Sequence, residues 1–537
     1  MTASGAASYD VTLTAAKATA VTIAADEKLQ FDDIVAGVAT TVGISGDSTV
    51  TVTTHTLAAN AAISSTNTAG VTFTAALGTG VSFAGGDGAD TIELGATTKA
   101  ITMGAGNDTV ILSDGVTALG TGGSIDAGDG TGDTLAFTTY ANAVTASAGT
   151  TFAGTISGFE KLKLIGANGV AASVVNLANL DNISDVEIAG DRTETTTISN
   201  LLSGGTVTFS VDQTSAEALT VAVKDAATGT ADVANIGLKG TAAVGSNAIT
   251  VSDVETINFL TDDTATPITN ITHTSALTAA AVKTLTVAGD AGLDLTHTGT
   301  AVTSFNASAV TGGEVIWTTG ALAANATIVG SATRANTIDT SATNKVITYT
   351  GGTGVDDVTF GNGNNVIDVA AGANIVTVGN GNNTITAGTG AQTITLGTGQ
   401  NTVTIAVDTG DVDNITVGAP TTANTYSSIT GLTTGDKLTF ADQGTEVWLG
   451  GSATAAKLSL NPATALYADY IAAATSGNAT ATAHGVFSWF QFGGNTFVVQ
   501  DNTDADGYAN NADVVVMLTG LVDLTTATLG NAVITLG

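Results

Sequence analysis

Glycine recurs with a nine-residue beat between residues 351 and 405. Gly-x-Gly falls at 352/354, 361/363, 379/381, 388/390 and 397/399. Where the beat is missed, Ala370, Ala371 and Gly372 hold the frame without an insertion. A period this strict means stacked turns of one repeated unit. The same beat appears earlier with different side chains, as Gly85-Gly86-Asp87-Gly88-Ala89-Asp90-Thr91-Ile92-Glu93. Met103-Gly104-Ala105-Gly106-Asn107-Asp108-Thr109-Val110 repeats that pattern two beats later.

Two such nonapeptides close one coil of a β-roll, each supplying a glycine turn and a short strand. Residues two beats apart then stack at the inter-strand spacing of about 4.8 Å. In the second array this puts Val358, Val376 and Ile394 in one inward ladder and Ile367, Ile385 and Val403 in the opposite one. All six are β-branched and apolar, so the register makes a thin dry core between two sheets. The sixth position of the nonapeptide is Asp356, Asn365, Asn374, Asn383, Gln392 and Asn401. Calcium prefers several charged oxygens, and neutral amides are weaker ligands. Stacked amides can instead hydrogen-bond along the stack. The spacing predicts an amide ladder that is largely calcium-free, the alternative being residual calcium held by carbonyls.

The first array has a different chemistry. Asp90, Asp108 and Asp126 follow the same two-beat step, and Gly86, Gly88, Gly104 and Gly106 supply the turns. A row of carboxylates predicts one or two calcium ions along the 90/108/126 edge. Lys99 stands at the equivalent place on the other edge and argues against metal there. Asp133 lies in a further acidic glycine loop that breaks the spacing. Glycine turns with solvated aspartates are the alternative. Near the C-terminus, Asn502, Asp504, Asp506, Tyr508 through its carbonyl, Asn510 and Asp513 fall at EF-hand ligand spacing with Gly507 at the turn. An Asx-rich turn explains the same residues, and no clear helices flank them.

Composition bounds the rest. The 537 residues include 66 Gly, 3 Pro and no Cys, and the apolar fraction is 43 %, which excludes a disordered chain. Val, Ile and Leu interleaved with Thr are the residues of strands. The net charge of −34 comes from 47 acids against 13 bases. An anionic chain does not seek nucleic acid, whose affinity rests on basic groups. It suits a divalent cation, with solubility alone as the plainer account. Without cysteine there are no disulfides and no thiol chemistry. Met1-Thr2-Ala3-Ser4 does not begin a Sec signal peptide. No apolar run is long enough for a transmembrane helix.

The fold class expected is all-β: β-roll and β-solenoid segments with irregular rungs and a small α/β cap. The divisions expected are an N-terminal β-rich assembly segment at 1–84, the calcium roll at 85–140 and an irregular solenoid at 141–350. The amide-ladder roll at 351–418 and a cap with an export-signal region at 419–537 follow. A helix is predicted over 462–475, capped by Asn461 with Pro462 in its first turn and Leu466, Tyr467, Tyr470, Ile471 and Ala474 on one face.

The aspartate copies at 85 and 103 resemble RTX repeats. Phe159-Glu160-Lys161-Leu162 and Val254-Glu255-Thr256-Ile257-Asn258 are similar to rungs of type I-secreted surface-layer proteins of Gram-negative bacteria. Val302-Thr303-Ser304-Phe305-Asn306-Ala307-Ser308-Ala309 is similar as well, as is the ending Asp513-Val514-Val515-Val516-Met517-Leu518-Thr519-Gly520 with Leu521-Val522-Asp523-Leu524. The resemblance implies an uncleaved C-terminal export signal, an extracellular home, Ca2+-aided folding and self-assembly. Its partners would be further copies of the chain and lipopolysaccharide or another surface glycan. The Asn-for-Asp second array departs from the group. An adhesin that holds a polysaccharide or another cell is the alternative function. No enzyme is expected: His55, His273, His297 and His484 are dispersed, and neither His-Glu-x-x-His nor Gly-x-Ser-x-Gly occurs. Ice binding by the Thr-x-Thr triplets at 384–386, 393–395 and 402–404 is a minor alternative, because alternate triplets fall on opposite sheets.

Overall fold

A computed structural model describes residues 2–3, 9–408, 410–452, 454–476 and 485–537. Met1, Ser4 and His484, named above, lie outside them. The chain forms two compact units, Met1–Ala265 with Thr274–Ala279, and Thr266–His273 with Ala280–Gly537. Both are stacks of parallel β-coils, the solenoid that the glycine beat predicts.

In the first unit one sheet adds a strand per coil, each parallel to the last. It runs from Tyr9–Thr14 through Leu29–Ala36, Val50–Leu57, Val71–Leu77, Thr91–Leu94, Thr109–Leu112 and Thr134–Phe137. It continues through Lys161–Leu164, Asp185–Ile188, Thr206–Phe209, Val233–Gly240 and Thr256–Asp263. Residues 84 and 140 are therefore not breaks in strand pairing. A second sheet accompanies it up to Ile156–Ser157, and a third starts at Ser173–Asn176. The core is a set of columns along the stack. One is Ile92, Val110, Leu135, Leu162, Val186 and Val207, all fully buried. Burying each such side chain stabilises the coil by about 1.5–3 kcal/mol.

The second unit has the register that the spacing predicts. Val358 pairs with Val376, and Val376 with Ile394, and the column extends to Ile415 and Leu438. On the other sheet Tyr349, Ile367, Ile385, Val403 and Ile429 are in line. Glycine is required where successive turns touch. A Cβ on Gly381 would stand 1.9 Å from the Gly363 carbonyl oxygen.

Antiparallel strands end this stack. Val514–Leu518 pairs in parallel with Ser427–Thr430 and antiparallel with Asn495–Asp501, which pairs in turn with Val486–Phe492. The helix Tyr467–Ala474 packs Tyr470, Ile471 and Ala474 on this hairpin, with Tyr470 stacked on Phe490 at 4.8 Å. The helix begins later than predicted. Asn461 caps only a turn, its Oδ1 accepting the Ala463 N–H at 3.1 Å, and the Asp469 carboxylate accepts the Leu466 N–H at 2.8 Å. Leu466 is consequently exposed rather than on the packed face. The sequence reading also missed the helices Tyr140–Ser147 and Thr150–Ala153. Tyr140, Ala143 and Ala146 do recur at a helical interval and are buried, but alanine is too common here to stand out. Among the described residues no helix is long and apolar enough to cross a membrane.

Candidate functional site

The most ordered polar chemistry lies inside the turns, in columns parallel to the stack. The amide column is the simplest. Asn383 Oδ1 accepts the backbone N–H of Asn365 at 3.0 Å and its side-chain Nδ2–H at 3.0 Å. Asn401 Oδ1 does the same for Asn383, at 3.1 and 2.9 Å. Each Nδ2 also donates to glycine carbonyls of its own turn, Asn365 to Gly363 at 3.0 Å and Asn383 to Gly381 at 2.8 Å. An amide suits this place because it needs an acceptor facing the neighbouring coil and a donor facing its own carbonyls. The ladder therefore forms as the sequence predicts, with every one of its amides buried.

Carboxylates occupy the same place in the first array. Asp90 Oδ1 accepts the Val71 N–H at 2.7 Å, Asp108 Oδ1 the Asp90 N–H at 2.6 Å, and Asp133 Oδ1 the Asp108 N–H at 2.7 Å. Glu160 closes the row by accepting the Asp133 N–H at 2.9 Å. All three aspartates are fully buried. The second oxygen now stands where an asparagine would carry its donor. Asp90 Oδ2 has only the Gly86 N–H, at 3.2 Å, and Asp108 Oδ2 and Asp133 Oδ2 have no hydrogen-bond partner. Two missing side chains leave cradles beside this row. The Cβ that Gly85 lacks would lie 2.4 Å from Asp90 Oδ2 and 1.7 Å from the Met103 carbonyl oxygen. The one that Gly130 lacks would lie 2.5 Å from Asp133 Oδ2 and 2.3 Å from the Gly106 carbonyl oxygen. Each cradle faces acceptors with acceptors, an arrangement that a proton or a cation relieves. Burial pushes the Asp90 carboxyl up to about 6 and the Asp108 carboxyl up to about 7, and raises that of Asp133.

The row is 90/108/133, not the expected 90/108/126. Thr109 pairs with Thr134, so the coil after Asp108 is longer than two beats and Asp133 falls in line. Asp126 ends the strand Ser124–Asp126 on the facing sheet, where its Oδ1 accepts the exposed Ser157 hydroxyl at 3.1 Å. A strict count carried Asp126 past the insertion at 113–123. The turn glycines lie where expected: Gly104 takes a φ of 105°, and its Cβ would stand 2.1 Å from the Gly86 carbonyl oxygen. Gly88 and Gly106 stack likewise, the latter at a φ of 127°.

The C-terminal loop has EF-hand spacing but spends its carboxylate differently. Asp513 Oδ1 accepts the Asn502 N–H at 2.8 Å and Oδ2 the Ala509 N–H at 2.6 Å, so both oxygens serve the turn. The Tyr508 hydroxyl donates to the Asp513 carbonyl at 2.7 Å. Asp504 and Asp506 are exposed. These bonds form an Asx-rich turn, while Asn502 Oδ1, at the first ligand position, is buried without a hydrogen-bond partner.

Acids also stand in the second unit's columns, Asp356 at one end and Asp413, whose Oδ1 accepts the Gln392 N–H at 2.8 Å, at the other. Asp356 accepts from Asn336 Nδ2 at 2.7 Å, and its buried Oδ2 lies beside the Tyr349 hydroxyl. Burial pushes Asp356 up to about 6. The sequence flagged Asp356 as the odd member of its row. It gave no sign of Arg192, which stands inside the first unit fully buried. There Arg192 Nε donates to Gln213 Oε1 at 3.0 Å and NH2 to the Ser246 carbonyl at 3.1 Å. Of the histidines, His55 edges onto Phe73 and burial lowers its pKa, and His297 Nδ1 lies 3.1 Å from the Thr319 hydroxyl. Among the described residues no three His, Cys, Asp or Glu side chains converge on a metal position. No protein-family model and no curated protein matches this chain.

Proposed function

We propose that the chain is an extracellular structural protein of a bacterial cell surface, self-assembling into a lattice or filament, with Ca2+ stapling its first array. The observation that carries the reading is the direction of the buried polar chemistry. The Asn365–Asn383–Asn401 and Asp90–Asp108–Asp133 rows spend their hydrogen bonds from coil to coil, along the stack. Each such stack is stiff along its axis, and repeated heterologous contacts between identical chains give lattices or filaments. The resemblance to RTX repeats and to type I-secreted surface-layer proteins supports the same reading and the type I route.

The first array fits a calcium ion on two counts. Asp108 Oδ2 and Asp133 Oδ2 are buried without donors, and the cradles at Gly85 and Gly130 gather carboxylate and carbonyl oxygens. Asp90 with the Met103 carbonyl at the Gly85 cradle, or Asp133 with the Gly106 carbonyl at the Gly130 cradle, would hold the ion, with Asp108 between them in the row. Calcium accepts mixed carboxylate and carbonyl oxygen. When bound, it neutralises the row and joins successive coils. The chain's own part is the register that brings these oxygens into line.

Negative-stain imaging of the purified protein, with calcium and then with chelator, tests the assembly. Ordered arrays or filaments in calcium are expected, and discrete monomers in both conditions refute it. Calcium stoichiometry tests the staple: Asp108→Ala should lower the count, and an unchanged count removes the site.

A further inference from the structure

We propose that the first unit contains a flexure, a seam between its second and third sheets that is latched by Ser147. The second sheet ends at Ile156–Ser157 and the third begins at Ser173–Asn176, one coil later, without pairing between them. Ile156–Ser157 pairs backward with Ser124–Asp126, and Ser173–Asn176 pairs forward with Thr196–Leu201. Across the same coils the first sheet is unbroken, from Thr109–Leu112 through Thr134–Phe137 and Lys161–Leu164 to Asp185–Ile188. The corner beside it is close-packed as well. A Cβ on Gly166 would stand 2.2 Å from the Thr138 carbonyl oxygen, and one on Gly190 2.1 Å from that of Gly166. One side of the stack is thus a continuous ladder and the other is interrupted, which is the geometry of a hinge.

The helices Tyr140–Ser147 and Thr150–Ala153 fill the gap and pack on the strand and turn that follow it. The packing is largely apolar, with Ala143, Ala146 and Phe152 buried on one side and Val175, Leu177 and Leu180 on the other. Apolar contact has no preferred direction, so it tolerates a small rotation that a strand ladder does not. Among the described residues, the two hydrogen bonds that join these helices to the following coil both end on Ser147. Its buried hydroxyl oxygen accepts the Asn176 N–H at 3.1 Å, and its carbonyl accepts from Asn179 Nδ2 at 2.8 Å. The other bonds run backward: Asn142 Nδ2 donates to the Ser113 carbonyl at 3.3 Å, and the Thr155 carbonyl accepts the Ile125 N–H at 2.9 Å. The helices therefore stay with the coil before them when the seam opens. The closed seam also leaves polar groups unsatisfied. Thr139 Oγ1 and Tyr140 Oη are buried without a hydrogen-bond partner, and Thr139 gives the helix no side-chain cap. Opening lets water reach both, which lowers the cost of the open state. The motion requires neither calcium nor self-assembly.

Pulsed dipolar spectroscopy on the whole chain tests it, and the lack of cysteine leaves introduced spin labels unambiguous. Labels at Thr102→Cys and Thr220→Cys span the seam, one on the second sheet and one on the third. Labels at Thr22→Cys and Thr102→Cys lie within the second sheet, four strand steps or about 19 Å apart, and share one site with the first pair. The pair within the sheet should give one narrow distance, and the pair across the seam a distribution at least twice as wide. Ser147→Ala should widen the second distribution further and leave the first unchanged. Asn179→Ala, which removes the other bond from a half-buried residue, should act in the same way. Equal widths for the two pairs overturn the flexure. A cross-seam distribution that neither variant alters overturns the latch.

Discussion

Replacing Asp108 by asparagine separates a metal staple from a simple hydrogen-bonded turn. In the calcium-free protein Asp108 Oδ2 is a buried acceptor without a donor. An unsatisfied buried polar group costs about 1–3 kcal/mol, and a new hydrogen bond contributes about 1 kcal/mol. Asp108→Asn keeps the acceptor for the Asp90 N–H and puts a donor where Asn383 has one, toward its own turn. The metal-free roll should gain about 2 kcal/mol or more at pH 8. At about 1.4 kcal/mol per decade this slows hydrogen exchange at the Asp90 N–H about 30-fold. The readout is native-state hydrogen exchange in chelator, followed at residues 85–137. In calcium the sign reverses, because the amide is a weaker ligand than the carboxylate and the stoichiometry falls. A variant that exchanges faster than wild type in chelator would refute the reasoning, since Oδ2 would then have a partner other than a metal.

The converse change, Asn383→Asp, replaces the donor to Gly381 and Asn401 by an acceptor. It should destabilise the second unit by several kcal/mol, about 3 at pH 8, read as a lower denaturant midpoint. Asp356 titrates near pH 6 in the folded chain, above its ordinary 3.8. The folded state thus holds more protons between about pH 4 and 6, so its contribution is complete below pH 4 and is lost as pH rises through 6. Asp356→Asn should flatten that slope in metal-free unfolding curves by on the order of 2–3 kcal/mol. Asp126→Asn should leave calcium stoichiometry unchanged, because Asp126 is on the facing sheet. Asp513→Ala should free the Asn502 and Ala509 amides and raise proteolytic nicking at 502–513 without changing bound calcium.

The parts of the fold with a fixed beat were legible because a coil of constant length converts spacing directly into neighbours. Val358, Val376 and Ile394 could be aligned by counting. The amide ladder followed from the same count, since asparagine meets both hydrogen-bond demands of the turn. Counting failed where coils vary. The insertion at 113–123 hid Asp133 behind Asp126, and only the strand pairing of Thr109 with Thr134 restores the row. Ser184-Asp185-Val186-Glu187 and Ser252-Asp253-Val254-Glu255 read alike, yet Asp185–Ile188 is a strand while Asp253 takes a φ of 60° at a corner. The difference lies in which preceding coil each one meets, and that is nonlocal. In the C-terminal loop, ligand spacing records which oxygens are near, not which backbone donors the Asp513 carboxylate accepts from.

In the second array each amide is satisfied by the coil before it and the coil after it, and by nothing farther away. Excising residues 365–382 would join Asn364 to Asn383 with the glycine frame unbroken, and Ile347 would meet Asn383 as it now meets Asn365. Reach is then a heritable quantity that changes in whole steps of about 4.8 Å. Gene duplication or loss of two beats can lengthen or shorten this array without redesigning the turns that join its coils.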